Sequence, residues 1–284
     1  MVELGQELTM IVRSISDAKL TAFLTDFAFL FERVRLECGE YDLRLRNDYF
    51  NLYYKGNSLA RVRMTHPPYR IEIHKQFAEG VFDPLRFGQP TVHGKYLWFS
   101  VRTPLLPSFL SKSNIKKVAS RITALHYSEE ITFEQMLITD NLNRSDFVII
   151  DRQVEGGGLQ GRMDLLALRH VPVTANQYRF VVVEVKLGNN PELCGDVGKQ
   201  LDHYVSFMNE HHEDFKQCYE RTFAQMRQAG LLPLPNVPAI EIVPPVTGYV
   251  VVGGYSGIAE QALQRLQQVW LNVEVTKLFH RLDR

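Results

Sequence analysis

Residues 181–188 read VVVEVKLG, and the reading of that run decides the architecture of the chain. In an extended strand successive side chains alternate. Val181, Val183, Val185 and Leu187 then face one way, while Val182, Glu184 and Lys186 share the other side with Phe180. A run this apolar is built for burial. An isolated ion inside it costs on the order of several kcal/mol unless it is paired, solvated or bound to a cation. Two opposite charges on one face are therefore either a Glu–Lys pair near a strand end or the beginning of a site.

The neighbours weigh on that choice. Upstream, GRMDLLAL (161–168) is another apolar strand interrupted by one acid, Asp164. If the two strands form a hairpin, Asp164 and Glu184 converge at one end of a sheet. Two hard carboxylates with a main-chain carbonyl suit Mg²⁺, which keeps several of its waters. A lysine beside them is a compact cation able to orient or deprotonate a water. Downstream, Gln200 and Tyr204 are four apart on a predicted helix over 195–212, whose apolar stripe is Val197, Leu201, Val205 and Met208. Glu130 and Glu134 have the same spacing in EEITFEQMLITDNL (129–142), a predicted helix with Ser128 as N-cap and acids in its first turn.

Further outward, strands are expected at 146–154, 161–169 and 178–187. GGG (156–158) and VPVTANQ (171–177) punctuate them, so an antiparallel meander is predicted. A Pro-rich segment, 233–245, leads to a final strand, TGYVVVGG (247–254), and a helix over 256–272. The fold class expected is α/β (α+β), a mixed sheet flanked by helices. Before it, residues 8–36 suit one or two helices, and YDLRLR, YFNLYY, LARVRM and YRIEIH read as short strands of a β-rich unit. Alternation places Arg44, Arg46, Arg61 and Arg63 on one sheet face, either an ordinary solvated face or a nucleic-acid platform. RTPLLPSFL (102–110) looks like a join, so the expected domains are 1–110 and 111–284.

Bulk properties exclude several classes. Lys and Arg balance Asp and Glu at 32 each, but residues 1–125 hold 18 basic against 12 acidic side chains and the remainder 14 against 20. A basic half can supply a field for an anionic ligand although the total is neutral. Cys38, Cys194 and Cys218 form no CxxC pair, so neither a disulfide framework nor a structural zinc site is indicated. The N-terminus lacks signal-peptide features, and no apolar run reaches the roughly 18–20 residues of a membrane span. The cytoplasm is the expected compartment. His211-His212-Glu213 reads as a helix end, since adjacent helical residues diverge. GGYSG (253–257) reads as a strand-to-helix turn, with no Lys-Ser/Thr to complete a phosphate loop.

The order Asp164, then Glu184-Val185-Lys186, then Gln200 and Tyr204 resembles the PD-(D/E)XK nuclease superfamily. The QxxxY feature is similar to its RecB-like branch, and EEITFEQMLITDN followed by GRMDLLAL and VVVEVKLG resembles NucS-type endonucleases. The likeness spans about residues 127–206. Met163 stands where the superfamily's name has proline. The resemblance implies a restriction-endonuclease-like core and a metal-dependent nuclease acting on nucleic acid, DNA foremost. Asp164, Glu184 and the Val185 carbonyl would hold Mg²⁺, with Mn²⁺ as a substitute, and either Glu130 or Glu134 would complete the set. Lys186 would position the attacking water, Gln200 and Tyr204 would orient the site or the substrate backbone, and Arg162 would touch a phosphate or form a surface salt bridge. The N-terminal unit would bind substrate or form a homodimer. The alternative is a protein that keeps the fold without cutting, as a nucleic-acid-binding or assembly subunit.

Overall fold

The computed structural model describes residues 11–37, 40–125, 128–232, 237, 239–269 and 273–278. The chain divides into two compact units, one built on Arg13–Asn143 with the stretch from Arg221, the other on Arg144–Glu220 with the stretch from Ala239.

The first unit opens with helices α1 (Asp17–Asp26) and α2 (Ala28–Leu36), then strands β1 (Tyr41–Arg46), β2 (Tyr49–Tyr54), β3 (Asn57–Arg63) and β4 (Tyr69–His74). Short helices α3 (Lys75–Ala78) and α4 (Pro84–Phe87) precede β5 (Thr91–His93) and β6 (Tyr96–Val101), followed by α5 (Leu106–Phe109), α6 (Lys112–Leu125) and α7 (Glu129–Asp140). The strands form one antiparallel sheet in the order β1-β2-β3-β4-β6-β5. Its apolar face buries Leu43, Leu45, Phe50, Leu52, Val62, Ile71 and Phe99. Two tight turns need left-handed residues, Asp48 (φ 54°) and Lys55 (φ 44°), and Asp48 is further held by the Ser16 amide at 2.8 Å.

The join expected after residue 110 falls inside this unit. Phe109 stacks on Phe82 at 4.2 Å, and the Arg33 guanidinium donates to the Leu110 carbonyl. The stripe Ile115, Val118, Ala119 and Ile122 of α6 is buried, while Arg121 donates to the carbonyls of Phe77 and Glu79 at the end of α3. The physical reason is that the apolar residues of 106–122 find their partners in the aromatic cluster beside the first sheet. The unit therefore continues to Asn143.

The second unit carries β7 (Phe147–Gly156), β8 (Leu159–His170), β9 (Gln177–Leu187), α8 (Asp196–Glu210), the start of α9 (His212–Gln228), β10 (Glu241–Ile242), β11 (Thr247–Gly253), α10 (Ser256–Val269) and β12 (Val273–Leu278). The sheet order is β12-β11-β9-β8-β7. As expected, β7, β8 and β9 form an antiparallel meander, whereas β11 runs parallel to β9 and β12 parallel to β11. The fold class is thus α/β with a mixed sheet and flanking helices. Strand β12 lies beyond the one expected to be last, and α9 extends where only a helix end was foreseen at 211–213.

Phe180 meets Tyr219 of α9 at 5.7 Å between ring centroids. A Cβ on Gly248 would sit 2.7 Å from Leu201 Cγ, so glycine there lets α8 lie directly on β11. Among the described residues no helix is long and apolar enough to cross a membrane.

Candidate metal-binding and catalytic site

Strands β8 and β9 pair with Leu165 opposite Val183, and one step further in this register brings Asp164 opposite Glu184. Opposed residues of an antiparallel pair share a face, so the two carboxyls converge. Asp164 Oδ2 accepts the Val185 amide at 2.9 Å, a side chain standing in for the ladder. In a strand, N–H and C=O of one residue point to the same edge, so the Val185 carbonyl also turns toward Asp164.

Glu184 is fully buried, and among the described residues no group donates a hydrogen bond to either of its carboxylate oxygens. Burial first, and then the negative charge of Asp164 and contact with its carboxyl, push the Glu184 carboxyl up from 4.5 to about 9, against the pull of Lys186 and the Asp164 backbone. Lys186 Nζ lies 3.7 Å from Glu184 Oε2, too far for a hydrogen bond, and 2.9 Å from Glu192 Oε2. Glu192 sits on a 3₁₀ turn, Pro191–Cys194, just after β9. Its part was not foreseen from sequence; the only signal was an acid six residues beyond Lys186 in a Pro-led turn.

Gln200 and Tyr204 of α8 share one polar contact, Gln200 Nε2 donating to the Tyr204 hydroxyl at 2.9 Å. The same hydroxyl accepts the Arg162 amide at 3.0 Å. Gly161 has φ +97°, and a Cβ there would come within 2.5 Å of that hydroxyl. The pair therefore clamps the stretch of β8 that leads to Asp164. The Arg162 side chain is exposed, and Met163 beside Asp164 is buried.

Glu130 and Glu134 lie on α7, in the first unit. Glu130 is half-buried and Glu134 buried. Among the described residues no group of three or more His, Cys, Asp or Glu gathers into a ligand set.

The four arginines of the first unit do share a face. Arg44 and Asn51, Asn51 and Arg61, Arg61 and Glu72, and Glu72 and Trp98 are opposed in turn across β1, β2, β3, β4 and β6. They are not equally available. Arg44 and Arg46 are buried, which corrects the picture of a uniform solvated platform. Arg44 Nε pairs with Asp42 at 2.9 Å, and Arg46 donates to the Leu45 carbonyl and the Tyr53 hydroxyl. Arg61 lies over the Tyr96 ring at 5.2 Å and Arg63 over Tyr49 at 5.0 Å. Arg70, not singled out from sequence, lies over Trp98 at 4.3 Å. The alternation in YRIEIH already placed it on the same face as Glu72.

No family model, curated protein or solved structure matches the chain.

Proposed function

We propose that the chain is a divalent-metal-dependent nuclease that hydrolyses phosphodiester bonds of nucleic acid, DNA foremost, through a PD-(D/E)XK-type site on a restriction-endonuclease-like core. One observation carries the reading: a fully buried glutamate, both oxygens without hydrogen bonds, opposite a second carboxylate and two residues from a lysine. A buried orphan carboxylate is costly. Glu184, on which burial and the neighbouring Asp164 charge hold a proton, and Asp164 beside it suit a hard cation that would take the proton's place.

Asp164 and Glu184, with the Val185 carbonyl on the same edge, would hold Mg²⁺ or Mn²⁺. When bound, that ion supplies polarisation of a phosphoryl oxygen and a water of lowered pKa. Lys186 donates a hydrogen bond to the attacking water and offsets charge that develops on the phosphate. Gln200 and Tyr204 keep the Arg162–Asp164 stretch in place, and the Arg162 side chain reaches a backbone phosphate. In the first unit, Arg61, Arg63 and Arg70 with their aromatic partners suit contact with a nucleic-acid strand.

The test is incubation with supercoiled, linear, single-stranded and branched DNA and with RNA, with and without Mg²⁺ or Mn²⁺. Metal-dependent cleavage that disappears in Asp164→Ala is expected. Tight binding to nucleic acid with no cleavage of any substrate would replace this reading with that of a non-cutting binding protein.

A further inference from the structure

We propose that Glu192 is a positioning residue for Lys186: by taking the lysine's ammonium it keeps both oxygens of Glu184 open to a divalent cation. This rests on the metal-site reading above. Lys186 and Glu184 share a strand face, and an ammonium next to a buried carboxylate ordinarily closes to about 2.7–2.9 Å. Here the Lys186–Glu184 separation is 3.7 Å, and the close partner is Glu192 at 2.9 Å. Glu184, the deeper acid, is left without a hydrogen bond, while Glu192 is half-exposed.

The turn that carries Glu192 is firmly seated. Asn190 Oδ1 accepts the Glu192 amide at 2.9 Å, and the Asn190 amide donates to the Leu187 carbonyl at 2.9 Å. Leu193 is fully buried. The Gly188 amide donates to the Gly253 carbonyl at 2.9 Å, and a Cβ on Gly188 would stand 2.3 Å from the Gly254 carbonyl oxygen. Glycine at 188 thus lets the exit of β9 lie against the end of β11, which aims the following turn back at Lys186. The same contact gives the GGYSG turn a purpose: Gly254 (φ +66°) and Tyr255 (φ +45°) shape the backbone that receives Gly188.

A carboxylate at 192 could act on a cation in two ways, by its own negative field or through where it holds Lys186. The two separate in a double-mutant cycle. Calorimetric Mn²⁺ and Mg²⁺ titrations are compared for the full chain, Glu192→Gln, Lys186→Met and the double variant, with thermal melts confirming that each is folded. Glu192→Gln should weaken cation affinity on the order of tenfold, the size of coupling between contacting charged groups. Lys186→Met should tighten it. In the Lys186→Met background, Glu192→Gln should change affinity by less than about twofold.

Equal weakening in both backgrounds would mean that Glu192 acts on the cation directly, and would overturn the positioning role. So would unchanged affinity in Glu192→Gln while the wild type binds in an Asp164-dependent way, a result that leaves the metal site standing. A wild-type chain without Asp164-dependent affinity for either cation would overturn the metal site itself.

Discussion

Each sheet carries a buried glutamate among basic residues, and the two are treated in opposite ways. Glu72 on β4 is 4% exposed, accepts a hydrogen bond from Arg63 Nε at 2.5 Å and forms an ion pair with Arg70 Nε at 3.1 Å. Both guanidiniums lie over aromatic rings, Tyr49 and Trp98. Glu184 on β9 is wholly buried, accepts no hydrogen bond among the described residues, and lies 3.7 Å from the Lys186 ammonium. A charge inside a strand is therefore no sign of a site. A charge left unsatisfied there is, because the protein bears its cost without a structural return.

Substitutions at the unsatisfied site give the largest expected effect. Asp164→Ala and Lys186→Ala should each lower single-turnover cleavage by at least about a thousandfold. They should differ in binding: Asp164→Ala loses divalent-ion affinity, and Lys186→Ala keeps or tightens it, since an ammonium does not ligate a cation and its positive charge is removed. A Lys186→Ala protein that melts lower yet cleaves normally would reduce VVVEVKLG to a strand with an ion pair.

Stability separates the two glutamates by sign. Glu72→Gln should destabilise by about 1 kcal/mol, below the usual range for charged hydrogen bonds because both arginines are more than a third exposed. Glu184→Gln in metal-free buffer should leave stability unchanged or raise it, because it removes a buried acid with no hydrogen bond. Denaturant melts of the two variants side by side test this. A loss of stability in both would mean that Glu184 is as well satisfied as Glu72.

The pH dependence follows from the same burial. Glu184 is pushed up from 4.5 to about 9, so between those values the folded chain keeps a proton that the unfolded chain has lost. Its contribution to stability is fully present below about 4.5 and is lost as pH rises toward about 9. Melts in chelator across that window should show a decline that Glu184→Gln removes. Divalent affinity should rise over the same range, because binding expels the proton.

The smallest effect belongs to the first sheet. Arg61→Gln should weaken nucleic-acid binding about equally for all sequences and lower the salt slope by roughly 1. Fluorescence anisotropy over a range of salt concentrations measures it. Reversing Arg44 or Arg46 is the wrong experiment, since both are buried and paired and the result would report unfolding. A salt slope unchanged by Arg61→Gln would leave that face as a protein-contact or folding surface.

Much of the candidate site was legible along the chain because strand alternation is local. Period two put Glu184 and Lys186 on one face, two apolar runs separated by turn residues implied the β8–β9 hairpin, and helical spacing aligned Gln200 with Tyr204. Burial was not legible. Alternation assigns Arg44, Arg46, Arg61 and Arg63 to a common face, but whether a given stretch of that face is covered depends on segments distant in sequence. The same applies to the boundary after residue 110: α6 carries its apolar stripe openly, and only packing shows that the stripe belongs with the first sheet.

What the sequence by itself determined was the alternating and helical placement of the acids, the lysine and the QxxxY pair, together with the class of fold those periods build. The tertiary structure alone decided which charges are satisfied. It set Asp164 against the Val185 amide, the Tyr204 hydroxyl against the Arg162 amide and Glu192 against Lys186, and among the described residues it gave the oxygens of Glu184 no hydrogen-bond donor. Hydrophobic periodicity is written residue by residue. Satisfaction of a buried charge is a distance between atoms that the chain brings together only after its strands have paired and its turns have closed.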